Sequence, residues 1–154
     1  MLEMMGPLGA QIVLDYGLIG LFFFSLASAS IFVPVSVEIT FPVLVMARVD
    51  KVVIVLVATA GASFGSLMNY YIGMGGLKLA HNYINVKEID KARKIMNRYG
   101  WIGLFGALIL PLPGDPLTVL CGAAKMNLRE FIITVTAARI IKYALILGLL
   151  TLVI

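Results

Sequence analysis

Charged residues are scarce in this sequence of 154 residues: Lys, Arg, Asp and Glu make up 13% of the chain, and hydrophobic residues make up 61%. A soluble domain carries roughly 25% charged residues to cover its surface, so the composition excludes most soluble enzymes. It also excludes a disordered chain and, despite a net charge of +4, a free-standing nucleic-acid-binding module. The sequence therefore predicts an integral membrane protein.

Residues that commonly bind metals are equally rare, since the chain has one cysteine, Cys121, and one histidine, His81. A single cysteine excludes an intramolecular disulfide and a cysteine-based zinc site, and His81 has no partner at the spacing of metal ligands. The phosphate-binding sequence G-x-x-x-x-G-K-[ST] is also absent, which argues against nucleotide-driven pumping by this chain. We expect no metal and no cofactor.

Long apolar runs are plentiful, and at about 20 residues per crossing the chain has room for about five or six passages. Residues 52–77 carry no charge and are predicted to form a spanning helix, as are residues 131–154. Between them, residues 78–98 hold six bases and two acids, a net charge of +4. By the positive-inside rule this segment faces the cytoplasm, and its apolar positions predict an interfacial amphipathic helix.

Two further apolar stretches, residues 28–47 and 101–124, are interrupted by helix-breaking residues. The residues that shape them are Pro34, Pro42, Pro111, Pro113, Gly114 and Pro116. Non-helical backbone at membrane depth survives only inside protein or beside a wet cavity, so both stretches predict re-entrant hairpins.

Each of these hairpins is followed by a charged patch and a long apolar helix. At an offset of 74 residues, Pro42 falls on Pro116 and Lys51 on Lys125. Because the basic segment lies between the halves, the hairpins enter from opposite sides, as in the inverted repeats of many transporters. We predict an all-α polytopic membrane protein with two opposed re-entrant helical hairpins, spanning helices and an inverted-repeat-like arrangement.

Four charges lie inside apolar segments: Glu38, Asp115, Arg139 and Lys142. A charge at the bilayer centre costs about 2.5–3.5 kcal/mol on insertion scales, so these groups need partners or water. One interpretation is that they form ion pairs that tie the hairpins to the final helix. The other is a binding site, in which the acids accept a proton or monovalent cation and the bases attract an anionic headgroup such as phosphate.

Small and polar residues recur along residues 52–77. Gly61, Gly65, Gly73 and Gly76 form faces that allow close helix packing. Three polar residues of the same helix are candidates for helix–helix hydrogen bonds or for lining a cavity: Ser66, Asn69 and Tyr70.

Several of these motifs resemble the DedA family, also called the VTT or SNARE-associated domain. The match comprises Pro34, Glu38 and Pro42 in the first hairpin, the glycine run with Tyr70, and the segment from Gly122 to Met126. The Gly-Asp-Pro turn ending at Pro116, and the segment from Arg139 to Tyr143, resemble the YqaA-type branch, while Ser66 stands where the family often has an acid. The resemblance implies opposed re-entrant hairpins and a role in moving lipids or lipid-linked anions.

We therefore expect a multi-pass transporter or scramblase of the cell membrane that moves a lipid or lipid-linked anionic headgroup, with proton or ion coupling. Its partners are membrane lipids and protons or monovalent cations, and homo-oligomerisation stays open. An ion-coupled exporter of small solutes is the main alternative. An intramembrane protease that uses Asp115 and Glu38, and a scaffold subunit of a larger complex, are further alternatives; the leading hypothesis is not an enzyme.

Overall fold

Most of the residues that the structure describes are helical. The structure is a computed structural model that describes residues 2–30, 35–75, 86–110 and 115–153, and these ranges contain no strand. A 3-10 helix, Val37–Thr40, precedes the second α-helix. The α-helices are α1 (Leu2–Ala29), α2 (Phe41–Met46), α3 (Lys51–Gly75), α4 (Val86–Tyr99), α5 (Trp101–Ile109), α6 (Asp115–Ala123) and α7 (Leu128–Val153).

Three helical segments of the described chain are long and apolar enough to cross a membrane: Gln11–Ala29 within α1, α3 and α7. Large apolar side chains remain exposed along all three segments, among them Phe23, Phe64 and Leu145. Exposed apolar surface on this scale is unusual for a soluble monomer and is expected of helices in lipid. The predicted all-helical membrane protein is confirmed at this level, and α3 and α7 correspond to the predicted helices 52–77 and 131–154.

The directions of the long helices follow from their contacts. The Ser63 and Thr136 hydroxyls lie 3.3 Å apart, and the rings of Tyr70 and Phe131 have centroids 4.8 Å apart. Residue numbers rise along α3 from the first contact to the second while they fall along α7, so these two helices are antiparallel. The latter part of α1 runs parallel to α3, because Ser25 bonds to the Ala58 carbonyl while Ala29, further along α1, bonds to Asn69.

The apolar segment in α1 is not one continuous helix, because Gly17 has a non-helical conformation with φ 60° and ψ −132°. Gly100, which separates α4 from α5, has nearly the same conformation, φ 56° and ψ −130°. Only glycine adopts such angles without strain. The two glycines also lie in nearly identical sequences: residues 16–22 read YGLIGLF and residues 99–105 read YGWIGLF.

The turns after α2 and α6 are also alike. Arg48 and Lys125 have positive φ angles of 58° and 53°, and in each turn their N–H and the following N–H bond back to the last helical turn as a Schellman motif. Asp50 and Asn127 then cap the next helix through backbone N–H groups two residues on. The equivalent positions, 48 with 125 and 50 with 127, are 77 residues apart. The offset of 74, which paired Lys51 with Lys125, is therefore wrong at these turns.

Replacing Arg48 or Lys125 by glycine is expected to raise the free energy of unfolding by about 0.5–1 kcal/mol each, because the left-handed conformation that these side chains adopt is strained for residues other than glycine. Urea or SDS titration of the purified protein would measure the change. Arg48→Ala is the matched control, since it removes the charge but keeps a Cβ. If Arg48→Ala stabilises as much as Arg48→Gly, charge and not backbone strain is the cause.

Candidate functional site

Glu38 and Lys142 form the ion pair at the centre of the candidate site. Glu38 lies in the 3-10 helix before α2, and its Oε1 atom is 2.7 Å from Nζ of Lys142 on α7. The Glu38 side chain is 17% exposed and that of Lys142 is 14% exposed. The pair therefore joins the broken segment between α1 and α3 to the final helix at a mostly enclosed position.

Arg139 lies one turn before Lys142 on the same helix and is only 7% exposed. Its Nη1 atom donates a hydrogen bond of 3.5 Å to the hydroxyl of Tyr143, which is itself buried. The Tyr143 ring packs edge-on against Phe41, three residues after Glu38, with centroids 5.3 Å apart. Tyr143 thus contacts both Arg139 and the segment that carries Glu38.

The described part of this site carries one negative and two positive side chains: Glu38, Arg139 and Lys142. Enclosed charges are costly without partners, and Lys142 neutralises Glu38 directly, so the set has a net charge of +1. Asp115, the fourth predicted charge, is the first residue of α6, but its side chain lies outside the described part of the structure. The geometry fits both an ion-pair tie and an anion-binding site.

The glycines of α3 pack against two different elements. Gly61 and Gly65 contact the backbone of α1 at Phe22 and Leu26, whereas Gly73 contacts the backbone of α6 at Val119. In each case an added Cβ would collide with a backbone carbonyl oxygen. These glycines therefore allow close helix packing; Gly76 lies outside the described residues.

The three polar residues of α3 predicted as cavity-lining candidates are enclosed between helices. Asn69 Nδ2 donates to the carbonyl of Ala29 and to Oγ1 of Thr118, both at 3.0 Å, so it links α1 and α6 to α3. Tyr70 donates its hydroxyl to the Met126 carbonyl and stacks on Phe131. Ser66 is fully buried, and its hydroxyl has no hydrogen-bond partner among the described residues. Asn69 thus makes helix–helix hydrogen bonds, whereas Tyr70 bonds to the turn between α6 and α7.

Two of the predicted hairpin-shaping residues are described, and both begin helices. Pro42 is the second residue of α2 and Pro116 is the second residue of α6. Proline is tolerated in the first turn, where its missing N–H would have no helical partner. The remaining hairpin-shaping residues lie outside the described part: Pro34, Pro111, Pro113 and Gly114.

Sequence reasoning missed Tyr143 and Phe41 as members of this site. Tyr143 follows Lys142 and lies four residues after Arg139, a spacing that puts it on the same helix face as Arg139. That spacing was a usable signal. Phe41 offered none, because its contact with Tyr143 depends on how the segment between α1 and α3 folds back.

A family model of the VTT domain matches residues 33–152, which include every residue of this site. The chain belongs to the VTT domain family. The resemblance found in the sequence is thereby confirmed at the level of the family, which is also called DedA.

Two relatives extend the comparison of this VTT domain. An uncharacterised protein of Methanocaldococcus jannaschii is 25% identical over 147 residues, which cover 95% of this chain and 91% of that protein. An uncharacterised protein of Haemophilus influenzae is 32% identical over 105 residues, which cover 68% of this chain and 64% of that protein. No solved structure matches the chain.

Proposed function

We propose that this VTT domain protein contains two re-entrant hairpins. The first begins earlier than the predicted residues 28–47, with arms at residues 18–29 and 37–46, and the second is formed by α5 and α6, within the predicted residues 101–124. After the kink at Gly17, residues 18–29 give about 18 Å of helix at 1.5 Å per residue. The helices α5 and α6 have nine residues each. These lengths are well below the roughly 30 Å of a hydrocarbon core, which supports hairpins that enter and leave on one side.

An inverted repeat is part of the same proposal. It is supported by the matching kinks at Gly17 and Gly100, by the matching turns at Arg48 and Lys125, and by the antiparallel crossing of α3 and α7. Equivalent helices that cross in opposite directions are expected from a two-fold axis in the membrane plane. The kinks are 83 residues apart and the turns 77; the offset of the turns makes Asp115 the equivalent of Glu38.

We propose further that the protein moves a lipid or lipid-linked anionic headgroup across the cell membrane. The observation that carries this proposal is the enclosed set of Arg139, Lys142 and Glu38 between the first hairpin and α7. Ionisable groups at membrane depth are functional candidates, and two bases against one acid leave an excess positive charge. Arginine in particular suits a phosphate, because its planar guanidinium forms two parallel hydrogen bonds with phosphate oxygens.

In this mechanism Glu38 competes with the substrate for Lys142. While the carboxylate holds Nζ at 2.7 Å, one of the two bases is neutralised. A proton or monovalent cation on Glu38 releases Lys142 and raises the net charge of the three side chains from +1 to +2. An anionic headgroup then binds to both bases, so uptake of the coupling ion and of the anion favour each other.

A lipid-translocation assay tests this function. Purified protein is reconstituted in vesicles with a fluorescent phospholipid, and membrane-impermeant dithionite reports the rate at which labelled lipid reaches the outer leaflet. Arg139→Gln and Lys142→Gln are expected to lower the rate by about tenfold or more, a factor that corresponds to about 1.4 kcal/mol. Glu38→Gln is expected to remove the dependence of the rate on pH.

Glu130→Gln is the matched control, because Glu130 is an exposed acid at the start of α7 and should leave the rate unchanged. Lys142→Arg should retain most of the activity. Wild-type rates equal to those of empty vesicles would contradict lipid movement. If a small organic anion is instead exported in a pH-dependent manner, the same residues serve an ion-coupled solute exporter.

The orientation belongs to the proposal as well. We infer that residues 78–98 face the cytoplasm, because this segment carries the entire net charge of +4. The first hairpin then opens to the opposite side. A membrane-impermeant amine reagent should label Lys91 only in inverted or permeabilised vesicles, and labelling from the outside of intact cells would contradict this orientation.

A further inference from the structure

Helix α4 carries a row of bases on its outer side. Lys87, Lys91, Lys94 and Arg98 are all exposed, and their spacing of four, three and four residues aligns them along one face of the helix. Asp90 is exposed as well and lies beside this row. The four bases, here called the basic row, thus form a positively charged strip about 17 Å long at 1.5 Å per residue.

The other side of α4 packs on the protein. Met96 packs against the apolar cluster that contains Leu104 of α5 and Leu120 of α6, and Cys121 directs its thiol to the Met96 sulfur at 3.4 Å. The basic row thus lies on a helix that is anchored along part of its length. Its position is therefore fixed relative to the second hairpin.

The end of α4 marks the level of the membrane surface. After the kink at Gly100, α5 begins with Trp101 and Ile102, which are 53% and 57% exposed. Tyr99 is 53% exposed and lies under the guanidinium of Arg98, 5.5 Å from its ring centroid. Exposed tyrosine and tryptophan beside bases are typical of the headgroup region, so the basic row lies where phosphates of surrounding lipids are within reach.

We propose that the basic row binds the headgroups of anionic phospholipids. Anionic lipids are then enriched in the bilayer next to the second hairpin, on the side of the membrane that α4 faces. The partner is the bilayer itself, which distinguishes this surface from the enclosed site at Glu38 and Lys142. The inference is independent of the proposed transport function. Each base near a membrane surface contributes about 1 kcal/mol to attraction of anionic lipid, which corresponds to about a fivefold preference.

Trp101 provides the measurement, because it is the single tryptophan of the chain and lies three residues after Arg98. The protein is reconstituted in phosphatidylcholine vesicles that contain a minor fraction of brominated lipid, which quenches tryptophan fluorescence on contact. At equal mole fraction, brominated phosphatidylglycerol is expected to bind next to Trp101 about fivefold more strongly than brominated phosphatidylcholine. Raised sodium chloride should reduce this preference, because it screens exposed charges.

The test variant carries Lys87→Gln, Lys91→Gln, Lys94→Gln and Arg98→Gln, and its preference is expected to fall to about one. All four side chains are exposed, so the fold should be kept, and Trp101 emission in neutral vesicles checks this. The matched control is Arg48→Gln with Lys51→Gln, two exposed bases at the turn before α3, and it should retain the preference. A variant with arginine in place of the three lysines should retain it too.

Two outcomes would overturn the proposal. One is equal quenching of wild-type Trp101 by the two brominated lipids, or a preference that survives in the four-base variant. The other is a fall in preference on adding inorganic phosphate that exceeds the effect of sodium chloride at equal ionic strength, since this would indicate a site for free phosphate. Retention in the control together with loss in the test variant supports binding of lipid headgroups.

Discussion

Lys142→Met is expected to lower the free energy of unfolding by about 2–4 kcal/mol, because it leaves the Glu38 carboxylate enclosed without its partner. Breaking a fully buried ion pair costs about 3–5 kcal/mol. The lower range applies here because Lys142 and Glu38 keep 14% and 17% exposure. Thermal or SDS-induced unfolding in detergent micelles, followed by helical circular dichroism, would measure the loss.

The double variant Glu38→Met with Lys142→Met separates the structural role of this pair from its functional role. Replacing both charges by apolar side chains of similar volume removes the desolvation cost together with the attraction. We expect the double variant to recover most of the stability lost in Lys142→Met while remaining inactive in lipid translocation. Recovery of both stability and transport would mean that the pair is only a tie between the hairpin and α7.

Lys51→Met is the control for this series, since Lys51 is exposed at the start of α3. Exposed charges contribute little to stability, so its effect should stay within about 0.5 kcal/mol. A loss in Lys51→Met equal to that in Lys142→Met would show that removal of any base weakens the fold. The ion pair would then have no special role in stability.

The long helices and the enclosed charges could be predicted from the sequence because both depend on composition. The absence of charge in residues 52–77 predicts a helix close to α3 (Lys51–Gly75), and the intervals between Arg139, Lys142 and Tyr143 define one helix face. The contact between Glu38 and Lys142 could not be predicted in this way. It depends on how the segment before α3 folds back, which no local pattern records.

The backbone conformations of individual residues could not be predicted from composition. Hydropathy treats Gln11–Ala29 as one apolar segment, yet the dihedral angles of Gly17 divide it. The repeated YGxIGLF sequence at residues 16–22 and 99–105 was available as a signal. That repeat has an offset of 83 residues, so it reveals the matching kinks but not the offset of the turns. Alignment on prolines gave an offset of 74, because Pro42 and Pro116 share a first-turn role without being equivalent in the turns that follow.

Gly73→Ala is expected to destabilise the protein by about 3 kcal/mol, at the upper end of the usual cost of overpacking. The added Cβ would collide with the carbonyl oxygen of Val119 and lie 2.8 Å from the carbonyl carbon of that residue. These atoms belong to the backbone of α6, so no side-chain rotation relieves the contact. Helices α3 and α6 would have to separate, which also weakens the hydrogen bond from Asn69 to Thr118.

Gly122→Ala tests the same interface from the other helix, because its Cβ would collide with the Tyr70 carbonyl oxygen and lie 2.7 Å from the carbonyl carbon. We expect a similar loss of about 3 kcal/mol. Once one substitution has separated the helices, the second costs less, so Gly73→Ala with Gly122→Ala should lose clearly less than the sum of the single losses. Gly148→Ala is the control, since its added Cβ would have nothing within 4 Å. That substitution should be neutral or raise stability by up to about 1 kcal/mol through helix propensity; unfolding curves that coincide for Gly73→Ala and Gly148→Ala would rule out the close contact between α3 and α6.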